Sequence, residues 1–535
     1  MSTDFLHGIE VIEVNDGARP ITTLKSSVIG IVGTAGKGPK NTPVMVTSLR
    51  EAVNKFGGWD DTDGFTLPGA LQSIYNQFKA TVVVVNVVDE ATDRTSVANE
   101  PFTFDEYTRE AVLSKRFVHN ATLAGTFTAK IELPSTALGT FTLPTGITVT
   151  AVKKEDGTSS YTAGTDYSIA ANILSNLGAG ISEGETVLVE FSATLVEGTD
   201  YTLEGTTGTL TVASDTVNLL PNSSGTVSFE YVNPTSATAT DIKGGTDETT
   251  GNYEGIWALL SAKPVLGLTP RIILAPGFTY DSSDGNNRND VVATLDVIAG
   301  RLGATALADG PNTTDEQAVA YRKHWGSQRI KVLDPHVIVG GPSGNDIEQP
   351  MSCVFAGIIA RTDAEIGFWA SPSNRLVKGI KGLARPVEYA AGDTNCRANY
   401  LNANQVTTII NEGGYRTWGN RTTSADPKWS FLNIRRAADI IQESILQAHL
   451  WAVDKNITKT LVEDVVEGVN RYLRLLQSRG AILGGTCWAD PELNPAASIS
   501  QGQLLLDFDF TVPYVAERIS FRAHLVDDYV SEIFN

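Results

Sequence analysis

Three cysteines in 535 residues, Cys353, Cys396 and Cys487, form no CxxC pair. Buried thiols in a reducing compartment suit that pattern better than a disulfide framework. The six histidines contain no HExxH and no i, i+4 pair, so the usual zinc-site spacings are missing. Basic residues are outnumbered as well: 41 Lys and Arg stand against 61 Asp and Glu, a formal net charge of −20. Sequence-independent binding to nucleic acid needs the opposite surface; this excess keeps free chains apart by repulsion. No apolar run approaches the roughly 20 residues of a membrane helix. The opening MSTDFLHGIEV has neither a basic n-region nor a long apolar core, so no signal peptide is read there. A protein that is cytosolic where it is made, with no membrane insertion and no nucleic-acid partner, is expected.

What is present begins with SVIGIVGTAGKGPKNTP, residues 27–43, a strand running into a glycine-rich loop with a lysine. A phosphate loop needs a first glycine where Ile31 stands, and Ser or Thr where Gly38 stands. The dinucleotide fingerprint fails at its third position, Asn41. The loop turns the chain without cradling phosphate.

The length calls for three or four domains. Residues 1–24 are a short β-prone arm with little core material. Residues 25–120 alternate strand and helix: PVMVTSLREAVNKFGG gives a strand, a Ser48 cap and a helix stopped by glycine, and TVVVVNVV a buried strand. From 121 to 250 Thr, Gly and Ser dominate, with fifteen acidic and four basic residues. GTDYSI at 164 recurs there as GTDYTL at 198, and ETVLVEFSA at 185 recurs loosely as GTVSFEYVN at 225. Short alternating strands between turns predict an acidic, sandwich-like β insertion on the surface. Residues 251–397 resume the α/β rhythm, residues 398–516 form an α+β C-terminal region, and 517–535 form a second β-prone arm. The fold class is multidomain α/β: doubly wound-like core domains, an inserted all-β domain, an α+β C-terminal domain, and extended arms at both ends.

Two helices stand out in the C-terminal region. SFLNIRRAADIIQESILQAHLWA places Ile434, Ala437, Ile441, Ile445 and Ala448 on one face, with Arg435, Asp439 and Glu443 on the other. TLVEDVVEGVNRYLRLLQSRG is predicted to open on a Thr460–Glu463 capping box and to stop at Gly480. QLLLDFDFTV then alternates Leu504, Leu506, Phe508 and Phe510 with polar residues.

Catalytic patterns are thin. DSSDGNNRND at 281 has its glycine one place early for a calcium loop, and Val292 where the last ligand belongs. No GxSxG elbow appears, and no cysteine has a catalytic signature around it. The Arg435–Arg436 doublet either faces an acidic partner or bridges to Asp439 and Glu443 along its own helix. No cofactor, metal site or enzymatic activity is expected. The competing reading is an α/β hydrolase with a carbohydrate-binding β insertion, which would need a cleft and exposed aromatics from Tyr161, Tyr167, Tyr201 and Tyr231. Each β-prone arm either pads its own domain's sheet or completes a sheet on a neighbour.

An ordered series of segments resembles the contractile tail sheath proteins of bacteriophages. It comprises TIINEGGYRTWGNRT (408–422), WSFLNIRRAADIIQESI (429–445), LVEDVVEGVNRYLRLLQSRGAILGG (461–485) and DPELNPAASISQGQLLLDFDFTVPYVAERISFRA (490–523). HGIEVIEV, SSVIGIVGTAGKGP, PVMVTSLREAVNKFG, ATVVVVNVV and ASPSNRLVKGIKGLARPVEY fall in the family's order too. The resemblance spares 121–250. It implies a structural subunit of stacked hexameric rings, a helical polymer around an inner tail tube. That polymer contracts to drive the tube through the host envelope. Implied partners are other copies of the chain, the tube protein, and baseplate and terminator proteins; the implied location is the virion tail, assembled in the host cytoplasm. A tail-like bacteriocin or secretion system would use the same parts. Carried onto this chain, the strand donors are Ile9, Val11, Ile12 and Val14 at one end and Ile519, Phe521 and Leu525 at the other. The acceptor sheet holds Leu504, Leu506, Phe508 and Phe510. Candidate tube contacts are Arg435, Arg436, Arg471 and Arg474, with the insertion outside.

Overall fold

The computed structural model describes residues 21–527, 529 and 533, apart from 106, 133–138, 144–145, 178–179, 183, 214–222 and 281–287. Its centre is one eight-stranded sheet. In spatial order its strands are Val44–Val46, Val82–Asn86, Ile29–Gly33, Ile272–Leu274, Thr305–Asp309, Ile330–Leu333, Val406–Asn411 and Tyr415–Trp418. The inner six run parallel, and the two outermost pair antiparallel with their neighbours. Helices cover both faces, which is why the inner strands read as unbroken apolar runs. Side chains alternate between the two layers. Val82 and Val84 face the layer with Leu71, Ile74 and Phe355, while Val83 and Val85 face the layer with Leu259, Leu295 and Ile298.

This sheet joins regions that the sequence divides. Residues 25–120 and 251–397 are not two separate α/β units: Ile29–Gly33 lies directly beside Ile272–Leu274. The glycine hairpin at 406–418, grouped by sequence with the C-terminal region, closes the sheet's far edge. Strand pairing is non-local here, so no local pattern reveals it.

The all-β insertion runs from Arg94 to Val232, which pair with each other. It opens and closes side by side within the connection between two core strands. The composition change at 121 therefore falls inside it, and Ile242 on the short Ala239–Lys243 helix is already part of the α/β core. Its five-stranded antiparallel sheet shares one apolar core with two three-stranded sheets. Tyr161, Tyr167 and Tyr201 belong to that core, and the Tyr201 hydroxyl donates to the Ala121 carbonyl at 2.9 Å. They form no exposed aromatic platform.

Leu432–Ala448 and Lys459–Ser478 are the two long C-terminal helices. The second starts earlier than its capping-box pattern suggests: Thr458 is the cap, accepting from the Leu461 N–H at 3.2 Å. Ser48 caps its helix as the sequence predicts, and Thr314 caps Asp315–Arg322.

Candidate functional site

In a doubly wound sheet a ligand lies beyond the carboxyl ends of the strands, where strand order reverses. That place is next to Ile29–Gly33, and it is filled. The Asn86 carboxamide accepts from the Ala35 and Val88 N–H groups at 2.9 and 3.1 Å and donates to their carbonyls at 3.2 and 3.0 Å. Phe117, from the base of the insertion, packs on Gly36 of the loop and on Gly57 at the end of the Leu49–Phe56 helix: a Cβ on either would overlap its ring. Phe65 packs edge-on to Phe117 at 5.3 Å. Arg116 reaches Asp63 at 3.1 Å and Asp60 at 3.3 Å. Burial lifts the Asp63 carboxyl to about 6 despite that arginine. The glycine-rich turn is a socket for an aromatic ring.

The neighbouring strand ends carry buried charge with structural work to do. Asp309 accepts from the Ser352 N–H at 2.7 Å and from its hydroxyl at 2.5 Å. It thereby caps the Met351–Glu365 helix, whose own cap position is Pro350 and offers no side-chain bond. Burial raises the Asp309 carboxyl and, well above its usual range, the Cys353 thiol. Ser352 spends its proton on a carboxylate, and Cys353 is held as a thiol rather than a nucleophilic thiolate. Arg385 bridges Asp315 and Asp334, and Arg397 also holds Asp315 at 2.7 Å. Among the described residues no group of three or more His, Cys, Asp or Glu could hold a metal ion. No helix there is long and apolar enough to cross a membrane. The calcium-like stretch at 281–287 lies outside the described residues.

The four arginines proposed from sequence for a partner surface do not share one. Arg435 is buried, chelating Asp439 at 2.6 and 3.2 Å, with its guanidinium 4.1 Å from the Trp429 ring centre. Arg329 holds the same Asp439 at 2.7 and 2.9 Å. Arg436 is buried against Asp363 at 2.6 and 2.8 Å and donates to the Ser26 carbonyl. The charged face of Leu432–Ala448 thus points into the junction with the large sheet. Only Arg471 and Arg474 are exposed, and Arg474 pairs with Glu467 at 2.5 Å.

Beyond these helices the chain ends differently. Gly484–Trp488 and Asp507–Thr511 form a two-stranded antiparallel sheet, from Gly484↔Thr511 to Trp488↔Asp507. Cys487 and Val512 join the apolar cluster of Tyr472, Leu473 and Leu476, and Phe508 and Phe510 pack against it. Leu504 and Leu506 precede the strand and are not part of it; Leu504 lines a shallow apolar groove with Ile457, Val462 and Ile499. Among the described residues neither outer edge of this sheet has a partner strand. Two strands alone are marginally stable. On the Gly484–Trp488 side Asn470 satisfies the Cys487 N–H and C=O at 2.8 and 2.9 Å. An edge without a partner strand otherwise presents unpaired N–H and C=O groups.

After Val512 the chain leaves the body. Tyr514 lies edge-on to Phe431 at 6.4 Å. Glu517 takes a two-pronged ion pair from Arg421, at 2.8 and 2.5 Å, and these bonds hold the Arg421 pKa above its ordinary value. From 518 to 527 the chain past this clamp forms no strand or helix. Ile519 is 69%, Phe521 94% and Leu525 101% exposed. Apolar side chains on an extended segment next to unpaired sheet edges are the complementary halves of strand addition. At the other end Ile21 is buried among the C-terminal helices and Thr23 meets the Tyr472 hydroxyl at 3.3 Å. Ile9, Val11, Ile12 and Val14 lie outside the described residues.

Three family descriptions match the chain: "Phage tail sheath protein central domain" over 250–423, "Phage tail sheath C-terminal domain" over 424–525 and "Tail sheath protein Gp18 domain III N-terminal region" over 26–87. The tail sheath protein of Burkholderia phage BcepMu is 32% identical over 544 residues, covering 99% of this chain and 98% of its own. The chain belongs to the phage tail sheath family. The sheath protein of Escherichia phage P2 is 26% identical over 539 residues, with 99% and 98% coverage. The sheath fold itself recurs in the contracted sheath complex of the extracellular contractile injection system PVC. That match has a TM-score of 0.54 at 13% identity, covering 99% of this chain and 100% of that one. The family matches leave 88–249 uncovered. That gap is the insertion with its connecting segments.

Proposed function

We propose that the chain polymerises as stacked hexameric rings around an inner tail tube, and that the polymer contracts to drive the tube through a host cell envelope. The observation that carries this reading is the pairing of an open-edged sheet, Gly484–Trp488 with Asp507–Thr511, and an exposed apolar arm clamped at Glu517. Ile519, Phe521 and Leu525 insert beside the equivalent sheet of a neighbouring copy, and Ile9, Val11, Ile12 and Val14 supply a second strand to such a sheet. Each added strand forms a few backbone hydrogen bonds of ~0.5–1.5 kcal/mol net. Repeated over a polymer, that tie holds neighbours together while body-to-body contacts exchange. Phe508 and Phe510 support the acceptor from its helix-facing side. Arg471 and Arg474 remain as tube contacts, and the acidic insertion lies outside. Baseplate and terminator proteins cap the polymer in the virion tail. The role is mechanical, with no catalytic step.

Negative-stain microscopy of the purified full chain beside a chain lacking 1–20 tests the proposal. Hollow helical cylinders from the full chain alone are expected. Cylinders from both remove the N-terminal arm from the reading, and small uniform particles from both at high concentration, with tube protein supplied, overturn it.

A further inference from the structure

The acidic insertion contains its own fold twice, one copy within the other. In the first copy Glu110–Val112 leads through Leu113 to a strand that starts at Val118. In the second, Thr140–Thr142 leads through Leu143 to a strand that starts at Thr148. Both leucines are buried and make the same bond, Leu113 N–H to the Gly208 carbonyl and Leu143 N–H to the Asn172 carbonyl. Each copy then has a hairpin, Tyr201–Glu204 with Thr209–Val212 and Tyr167–Ala170 with Ile173–Asn176. The registers correspond: Tyr201↔Val212 and Leu203↔Leu210 in one, Tyr167↔Asn176 and Ile169↔Leu174 in the other. Leu210 and Leu174 are both fully buried.

The turns before the hairpins agree bond for bond. Gly198 N–H donates to the Tyr201 carbonyl and Gly164 N–H to the Tyr167 carbonyl, each at 2.7 Å. The Asp200 carboxylate accepts from the Val196 N–H at 2.8 Å, and Asp166 from the Thr162 N–H at 2.7 Å. Each copy closes with a long strand, Ser224–Val232 or Thr186–Thr194, set antiparallel to its own second strand and carrying an irregularity there.

The copies part at one place. In the second, the strand Thr148–Lys154 turns through 155–158 and returns with Ser160 opposite Lys153. In the first, the corresponding strand does not turn. It runs on to Glu132, enters the second copy, and comes back along Thr186–Thr194 with Thr194 opposite Ala124. Residues 125–193 stand where the second copy has the six residues 154–159, a four-residue turn and one residue on either side, and their two ends are neighbours across a strand pair.

We infer that residues 125–193 are an accessory module, set into a turn of an equivalent module, that the rest of the chain does not need in order to fold. The second copy shows that this fold closes with its second strand as a sheet edge, so the first has the same option once 125–193 are removed. Phe127 and Phe191, which stack at 5.7 Å across the added strands, leave together, and their removal uncovers Phe102 and Gly225, against which Phe127 also packs. The inference rests on strand pairing alone and stands apart from the sheath reading.

The test is a full chain with 125–193 replaced by the sequence of 154–159, Lys-Glu-Asp-Gly-Thr-Ser, followed by thermal unfolding and hydrogen exchange. An unchanged transition for the body, with the strands Arg94–Thr103, Tyr201–Glu204, Thr209–Val212 and Ser224–Val232 still protected, is the expected result. A second variant, Leu174→Asp in the otherwise intact chain, decides the matter should the deletion fail to fold. It is expected to abolish protection within 139–194 and to leave 224–232 protected as before. Loss of protection in 224–232 on Leu174→Asp overturns the inference.

Discussion

Arg436 and Asp363 are both almost fully buried, and their ion pair joins the C-terminal helix to the end of the Met351–Glu365 helix. Breaking such a pair from one side leaves an uncompensated charge, at a cost of ~3–5 kcal/mol. Arg436→Met is therefore expected to lower the urea midpoint sharply, and Arg471→Ala, on the exposed face, to leave it unchanged. Lys331 gives a pH signature. It is wholly buried, donates to the Gly419 and Arg421 carbonyls at 3.3 and 3.2 Å, and burial lowers its pKa to about 7. Between there and its ordinary value of 10.5 the unfolded chain holds a proton that the folded chain has released. Stability should then rise with pH across that window by up to about 1.4 kcal/mol per unit from this group. Lys331→Met should remove that increment, read as a flatter plot of unfolding free energy between pH 7 and 10. A slope identical to the parent's would show that Lys331 stays charged in the fold.

At the scale of elements, the C-terminal arm is separable from the domain that carries it. Its last described tie to the body is Glu517 on Arg421, and none of Ile519, Phe521 and Leu525 contributes to the core. Removing 518–535 should leave the thermal midpoint of the dissociated chain unchanged and abolish cylinders in the microscope. A large fall in that midpoint would mean that the arm pads its own domain. Most helices are visible in the sequence at this scale, since amphipathic spacing, caps and glycine stops are local. The Ser48 cap and the apolar face from Ile434 to Ala448 are read correctly. Of the two readings of the Arg435–Arg436 doublet, Arg435 makes the bridge to Asp439 along its own helix. Its burial is not legible, because an alternating charged stripe looks the same whether it meets water or a buried set of opposite charges. Leu504 and Leu506 fail for a related reason: period-2 alternation continues past the point where hydrogen bonding to Gly484–Trp488 begins.

For the whole molecule, the eight-stranded sheet joins segments from Ile29 to Trp418, and the Leu432–Ala448 helix is locked to that unit through the Asp439, Asp363 and Glu443 ion pairs. The insertion has its own core and meets that unit mainly at Arg116 and Phe117. Calorimetry should accordingly show two transitions, with hydrogen exchange assigning one to 94–232 and the other to the rest. A single transition with uniform exchange would show that the Phe117 socket couples the two completely.

Sequence by itself determined the class of elements, the family, the presence of an acidic β insertion and its repeated GTDY turns, because each is written in local periodicity, composition or ordered segments. Only the tertiary structure decided that two apparent α/β units share one sheet, that the glycine loop houses Phe117, that Arg435 and Arg436 are internal, and that one β copy sits inside another. All four depend on which distant segments pair. Pairing is settled by burial and hydrogen-bond satisfaction over the whole chain, which no window of sequence contains.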